Sequence, residues 1–181
     1  QVDAAIGGKN GVNLHRFKNM IGLINQPEFV LCDPFTLRTL SQKEFRCGLG
    51  EVIKYGLMAE TEIISLLENT SIETIISDIQ LLTNLIYKCA AIKVDIVNRD
   101  EFESGERQKL NFGHTIGHAI EKCTDSFTHG EAVCIGMYAA AGLSFKKGML
   151  SKTDMERIRN LYKKLDIIIG PGIDPKDIEI E

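Results

Sequence analysis

Between residues 71 and 98, apolar side chains return at Ile72, Ile75, Ile76, Ile79, Leu82, Leu85, Ile86 and Cys89, close to the roughly 3.6-residue repeat of a helix. A stripe of that length must be buried against other elements, so it commits the chain to a helical architecture. The same texture runs from residue 39 through Glu51-Val52-Ile53-Lys54-Tyr55-Gly56-Leu57-Met58, and again over 62–68, 109–122, 130–147 and 153–164. Ser151 reads as the N-cap of the last helix, with Asp154 three residues on where a capping box favours an acid. Pro171 and Pro175 end the helical pattern.

The first part of the chain reads differently. Residues 1–27 are rich in Gly and Asn and are predicted to be loops in which the backbone passes close to something. Phe29-Val30-Leu31-Cys32, closed by Asp33-Pro34, is predicted to be a short buried strand. The expected fold is therefore mainly α: a small α/β piece over 1–34, then a helical domain over 35–181. Ile178-Glu179-Ile180-Glu181 alternates as a strand would, and both ends are expected to be cuts through a longer polypeptide.

With 181 residues, a chain of this size buries about 70% of its unfolded surface and needs no disulfide staples. Its net charge of −4 argues against nucleic-acid binding by bulk charge, though a local basic pocket for a phosphate is compatible with it. No apolar run reaches the roughly 18 residues of a membrane span. Cys32, Cys47, Cys89, Cys123 and Cys134 are odd in number, widely spaced and free of CxxC pairs. They are expected to be thiols in the reducing cytosol.

The sharpest chemical signal is Leu110-Asn111-Phe112-Gly113-His114-Thr115-Ile116-Gly117-His118-Ala119-Ile120-Glu121. On a helix, His114 and His118 project from one face with rings about 6 Å apart, and His129 follows just before Gly130-Glu131. Spacing favours a metal over the plainer reading, in which such histidines cap helices or sit hydrogen-bonded in a core. A zinc site of this kind takes a carboxylate as well; Glu51 and Glu103 are the candidates. A second signal is a set of cations beside Gly or Asn, namely Lys9, Lys18-Asn19, Lys54, Lys93 and Arg107. Cationic side chains with free backbone N–H groups suit a phosphate, although Gly7-Gly8-Lys9 lacks the spacer and hydroxyl of a P-loop.

Taken in order, Gly7-Gly8-Lys9-x-Gly11-Val12-Asn13, Lys18-Asn19-x-Ile21-Gly22, Gln26-Pro27, Gly48-Leu49-x-Glu51-Val52-Ile53-Lys54-Tyr55-Gly56, the His114 motif and His129-Gly130-Glu131-Ala132-Val133 resemble the 3-dehydroquinate synthase family. The resemblance runs from Val2 to about Gly148. It implies conversion of 3-deoxy-D-arabino-heptulosonate 7-phosphate to 3-dehydroquinate and phosphate. The route is transient oxidation, phosphate elimination, re-reduction and intramolecular aldol closure. NAD⁺ is used catalytically, with one divalent metal, zinc or alternatively cobalt. The implied fold is an α/β NAD-binding half followed by a helical half, with residues 1–34 the end of the former.

Carried onto this sequence, the resemblance implies zinc on Glu51, His114 and His129. It implies NAD contacts from Lys9, Lys18, Asn19, Thr36, Leu37, Arg38 and Thr39. Asp3, Lys54, Lys93, Arg107, Asn111 and His118, with Asn19 again, would line the substrate. His118 would relay the proton at the oxidised hydroxyl. The His114–His118 pair is then not a chelating pair, since His129 completes the metal set. A cytoplasmic homodimer acting on a small sugar phosphate, with no nucleic-acid or membrane partner, is expected.

The family's preceding glycine-rich NAD-binding segments have no counterpart here. Nor do its closing helices, which carry a further phosphate-binding lysine. The chain is thus expected to be inactive alone. Two alternatives stand beside this one: a sister sugar-phosphate cyclase such as aminodehydroquinate or 2-deoxy-scyllo-inosose synthase, and a non-catalytic metal-binding helical domain. A polyol dehydrogenase is more distant, as it is not expected to carry this whole phosphate-binding set.

Overall fold

The computed structural model describes residues 2–14, 17–124 and 126–167, with the backbone alone at 13, 14 and 17–20. Residues 168–181, including Pro171, Pro175 and the alternating end, lie outside the described residues.

The Gly- and Asn-rich start is not the predicted loop. Strands β1 (Lys9–Leu14) and β2 (Phe17–Ile24) form an antiparallel hairpin. Its register pairs Lys9 with Ile24 and Gly11 with Gly22, with an irregularity between Val12 and Leu14. Antiparallel pairing satisfies the facing backbone groups of both strands locally, which even glycine-rich segments can do. The strand predicted at Phe29–Cys32 is also corrected: this stretch is irregular, and Phe29 and Leu31 stand exposed. A strand needs a partner along its edge, and among the described residues the hairpin is the only sheet.

A 3₁₀ turn (Pro34–Thr39), capped by the Asp33 carboxylate, leads into the helices. These are α1 (Gln42–Met58), α2 (Thr61–Asn69), α3 (Ile72–Ser77), α4 (Ile79–Arg99), α5 (His114–Cys123), α6 (His129–Lys146) and α7 (Lys152–Lys164). The long apolar run is thus two helices. Asp78 breaks it: its N–H caps the end of α3 on the Thr74 carbonyl, while its carboxylate accepts the N–H groups of Gln80 and Leu81 at the start of α4. Ser151 caps α7 as expected, accepting from the Asp154 N–H at 3.0 Å.

Helix α6 lies at the centre, packed against α1, α5 and α7. Its buried Val133, Cys134 and Met137 meet Ile53 and Tyr55 of α1 and Leu161 and Tyr162 of α7 in one core. Each such side chain withdrawn from water stabilises the fold by about 1.5–3 kcal/mol. Contact between α1 and α6 depends on Gly130, because a Cβ there would lie 2.0 Å from the Cys47 carbonyl oxygen. All five cysteines are free thiols. Among the described residues no helix is long and apolar enough to cross a membrane.

Candidate active site

The close α1–α6 crossing sets one side of the site. It brings Glu51, on α1, to the head of α6, where His129 is the first helical residue. A capping box fixes that first turn, with the Thr128 hydroxyl accepting from the Glu131 N–H and the Glu131 carboxylate accepting from the Thr128 N–H. The other side is set by Gly113, whose left-handed backbone (φ +80°) turns the chain into α5. A Cβ at Gly113 would sit 2.4 Å from Met137 and 2.7 Å from the Val133 carbonyl, so the turn admits only glycine.

These constraints place three imidazoles together. Ring centroids are 5.4 Å apart for His114–His118, 5.4 Å for His114–His129 and 6.0 Å for His118–His129. Glu51 Oε1 lies 3.3 Å from His114 Nε2 and 3.9 Å from His129 Nε2. It is buried and has no aligned hydrogen-bond partner. His114 Nδ1 sits 3.2 Å from the Phe112 carbonyl, which can only accept, so Nδ1 carries the proton and Nε2 presents its lone pair to Glu51. Lone pairs gathered around an unsatisfied buried oxygen fit a cation, and Glu51, His114 and His129 each offer a ligand atom within 4.8 Å of the others. Burial alone would raise the Glu51 pKa, but the Lys54 ammonium, and the hydrogen bond His114 gives when its Nε2 carries a proton, outweigh it and bring the group down to about 2.

The cationic side of the cleft faces this cluster. Lys54 is buried, paired with Glu51 and stacked over the Tyr55 ring. Lys93 reaches the Asp3 carboxylate at 3.1 Å and the Asp3 carbonyl at 2.8 Å. Burial lowers its pKa against the upward pull of Asp3. The Tyr55 hydroxyl donates to the same Asp3 carboxylate oxygen, Oδ2, that Lys93 approaches. Arg107 is 1% exposed; its Nη2 donates to the Gly7 carbonyl at 2.6 Å and its Nη1 to that of Glu101, while Nε has no partner. Lys9 pairs with Glu103, which also accepts from Asn111 Nδ2 at 2.8 Å. Glu103 therefore stands with the cations and not with the imidazoles.

One cleft of about 580 Å³ collects these groups. Of the residues predicted from sequence, Asp3, Lys9, Glu51, Lys54 and Lys93 line it, as do Arg107, Asn111, His114, His118 and His129. Thr36, Leu37, Arg38 and Thr39 do not. They lie on the 3₁₀ turn, with Arg38 over the Phe35 ring, and Thr36 and Leu37 border a separate groove across the Asp3–Ile6 segment. Lys18 and Asn19 lie in β2, and their side chains are outside what is described. Tyr55 and Glu121 were not singled out from sequence. Glu121, 3.2 Å from His129 Nδ1, was detectable at seven residues from His114 and three from His118, on the same helical face.

This fold is that of synthases seen in solved structures with NAD⁺ and a divalent metal. A structure of 2-epi-5-epi-valiolone synthase from Streptomyces hygroscopicus, with NAD⁺ and Zn²⁺ bound, matches at a TM-score of 0.86 and 26% identity, over 96% of this chain and 49% of that one. A 2-deoxy-scyllo-inosose synthase complexed with carbaglucose-6-phosphate, NAD⁺ and Co²⁺ matches at 0.80 and 25%, over 96% and 47%. In sequence, the family model for the 3-dehydroquinate synthase C-terminal part matches residues 48–178, and that for the N-terminal part matches residues 1–47. The chain belongs to the 3-dehydroquinate synthase family. It is 42% identical to the 3-dehydroquinate synthase of Desulforamulus reducens over 98% of this chain and 51% of that protein, and 45% identical to that of Thermodesulfovibrio yellowstonii over 94% and 48%. The chain thus spans about half the length of the curated relatives it matches.

Proposed function

We propose that the chain supplies the metal- and substrate-binding side of a 3-dehydroquinate synthase. In this reading residues 1–34 close the NAD-binding domain and residues 35–181 form the helical one. The observation that carries it is the single cleft in which Glu51, His114 and His129 converge opposite Lys54, Lys93 and Arg107. A sugar phosphate bearing a carboxylate needs two anion sites and a group to move a proton at its hydroxyl. Glu51, His114 and His129 would hold zinc or cobalt, and Lys9, Lys18, Asn19 and the 36–39 turn would hold NAD.

When bound, the metal supplies Lewis acidity to the substrate oxygens and NAD⁺ a reversible hydride acceptor. This chain's residues do the rest. Lys54, Lys93 and Asn111 orient the anionic substrate, each held in place by a carboxylate: Glu51, Asp3 and Glu103 respectively. Arg107, its guanidinium anchored to two carbonyls, presents charge to a departing phosphate without having to move. His118, one turn beyond His114, takes the proton from the hydroxyl to be oxidised. The working protein is read as a cytoplasmic homodimer with no nucleic-acid or membrane partner.

The test joins this chain to the N-terminal half of a relative and follows phosphate release from 3-deoxy-D-arabino-heptulosonate 7-phosphate with NAD⁺ and zinc. Release is expected, and should fall by about 10²–10⁴-fold in His118→Ala, the usual span of a lost acid–base group. Turnover of a sister cyclase's sugar phosphate in its place would overturn the substrate assignment.

A further inference from the structure

Of the groups that converge at the head of α5 and α6, His129 is the least enclosed. Its side chain is 45% exposed, against 15% for His114 and 13% for Glu51. The capping box and the Gly130 contact fix its backbone, but a fixed backbone still leaves the ring free to turn. At its Nδ1 the ring meets Glu121. Both of its carboxylate oxygens lie near Nδ1, at 3.3 and 3.2 Å, and its side chain is only 12% exposed.

An ionised carboxylate only accepts, so this contact places the proton on Nδ1 and the lone pair on Nε2. Nε2 is the atom that faces Glu51 Oε1. We propose that Glu121 is a positioning residue for the metal centre, holding His129 in the Nδ1–H form and aiming Nε2 at the ion shared with Glu51 and His114. The proposal rests on the metal reading given above. A carboxylate behind a ligating imidazole fixes the ring's tautomer and raises its basicity. A rival use of the same atoms exists, because His118, Glu121 and His129 also place ligand atoms within 4.8 Å of one another. An ion in that second set that took His129 through Nδ1 would exclude the first use, because Nδ1 cannot hold a proton and a metal at once.

The experiment uses the full chain with His114→Ala, Glu121→Ala and the near-isosteric Glu121→Gln. Zn²⁺ is titrated against a chromophoric chelator, Co²⁺ serves as a visible-absorption probe, and ¹⁵N NMR of the metal-free protein reads the His129 tautomer. The unaltered chain should bind one ion and His114→Ala none. Glu121→Ala should bind about 10–100-fold more weakly with an altered Co²⁺ spectrum, and Glu121→Gln should lose less. The Nδ1–H form should give way to a mixture in Glu121→Ala. Binding that is lost in His114→Ala but untouched in both Glu121 variants overturns this proposal alone. Two ions falling to one in Glu121→Ala would instead make Glu121 a ligand of a second site. No ion on the unaltered chain would sink the metal reading and the proposal with it.

Discussion

Asp3 carries an unusual load for one carboxylate. It sits buried at the start of the described chain, accepts the Tyr55 hydroxyl from α1 and pairs with Lys93 from α4. Burial and the facing Asp3 charge push the Tyr55 pKa far above its ordinary value, so the hydroxyl stays a donor at any working pH. Tyr55→Phe keeps the ring and removes only that donor, leaving buried carboxylate capacity unpaired. The variant should unfold in urea with about 1–3 kcal/mol less stability; unchanged stability would show that Lys93 alone satisfies Asp3. This residue-level detail was hidden in the sequence. Asp3 and Lys93 were singled out as chemistry-bearing groups, but nothing in the spacing of 3, 55 and 93 shows that they meet. The metal candidates were more legible, since two of them sit on one helix and its close successor. Spacing alone offers Glu51 as one of two carboxylates beside Glu103, because its approach to the imidazoles depends on a helix crossing.

Among the elements, the turn from α4 into the 3₁₀ helix Glu106–Asn111 shows how a loop can be made rigid enough to hold a buried guanidinium. Asp100, just past α4, accepts from the N–H groups of Ser104, Gly105 and Arg107 at 2.9, 2.8 and 2.9 Å. The Arg107 N–H leads the effects that lower its pKa from 3.8 to about 2. A depressed carboxylate pKa contributes stability that is present above the ordinary value and lost as pH falls through the folded one. Asp100→Asn should therefore lower the melting temperature near neutral pH, and the gap to the unaltered chain should close as pH falls from 3.8 toward about 2. A gap of the same size across that range would contradict the capping role. Helices were the legible part of the fold, because the 3.6-residue repeat states which face is buried. Their breaks were not: at Asp78 the apolar beat continues straight across a residue that caps in both directions. The exposed Phe29–Cys32 stretch differs from expectation because a strand needs an edge that some distant segment must offer. The hairpin pairs with its own sequence neighbour, and its Gly- and Asn-rich composition, depleted in strands generally, hid it.

Over the whole molecule, the site is a consequence of how tightly three helices approach. Gly113 and Gly130 remove the side chains that would hold α5 and α1 away from α6, and the imidazoles and Glu51 meet at that junction. The resemblance of ordered motifs carried more of the function than periodicity did, because it names residues from separate elements that share one cleft. Those on the 3₁₀ turn lie outside that cleft, beside a separate groove across the Asp3–Ile6 segment. If Glu51, His114 and His129 form a metal site within this chain, elemental analysis of the purified chain beside His114→Ala shows it. About one zinc per chain is expected, lost in the variant, as a three-ligand site with one open position requires. Zinc retained in His114→Ala, or absent from both proteins, would contradict it.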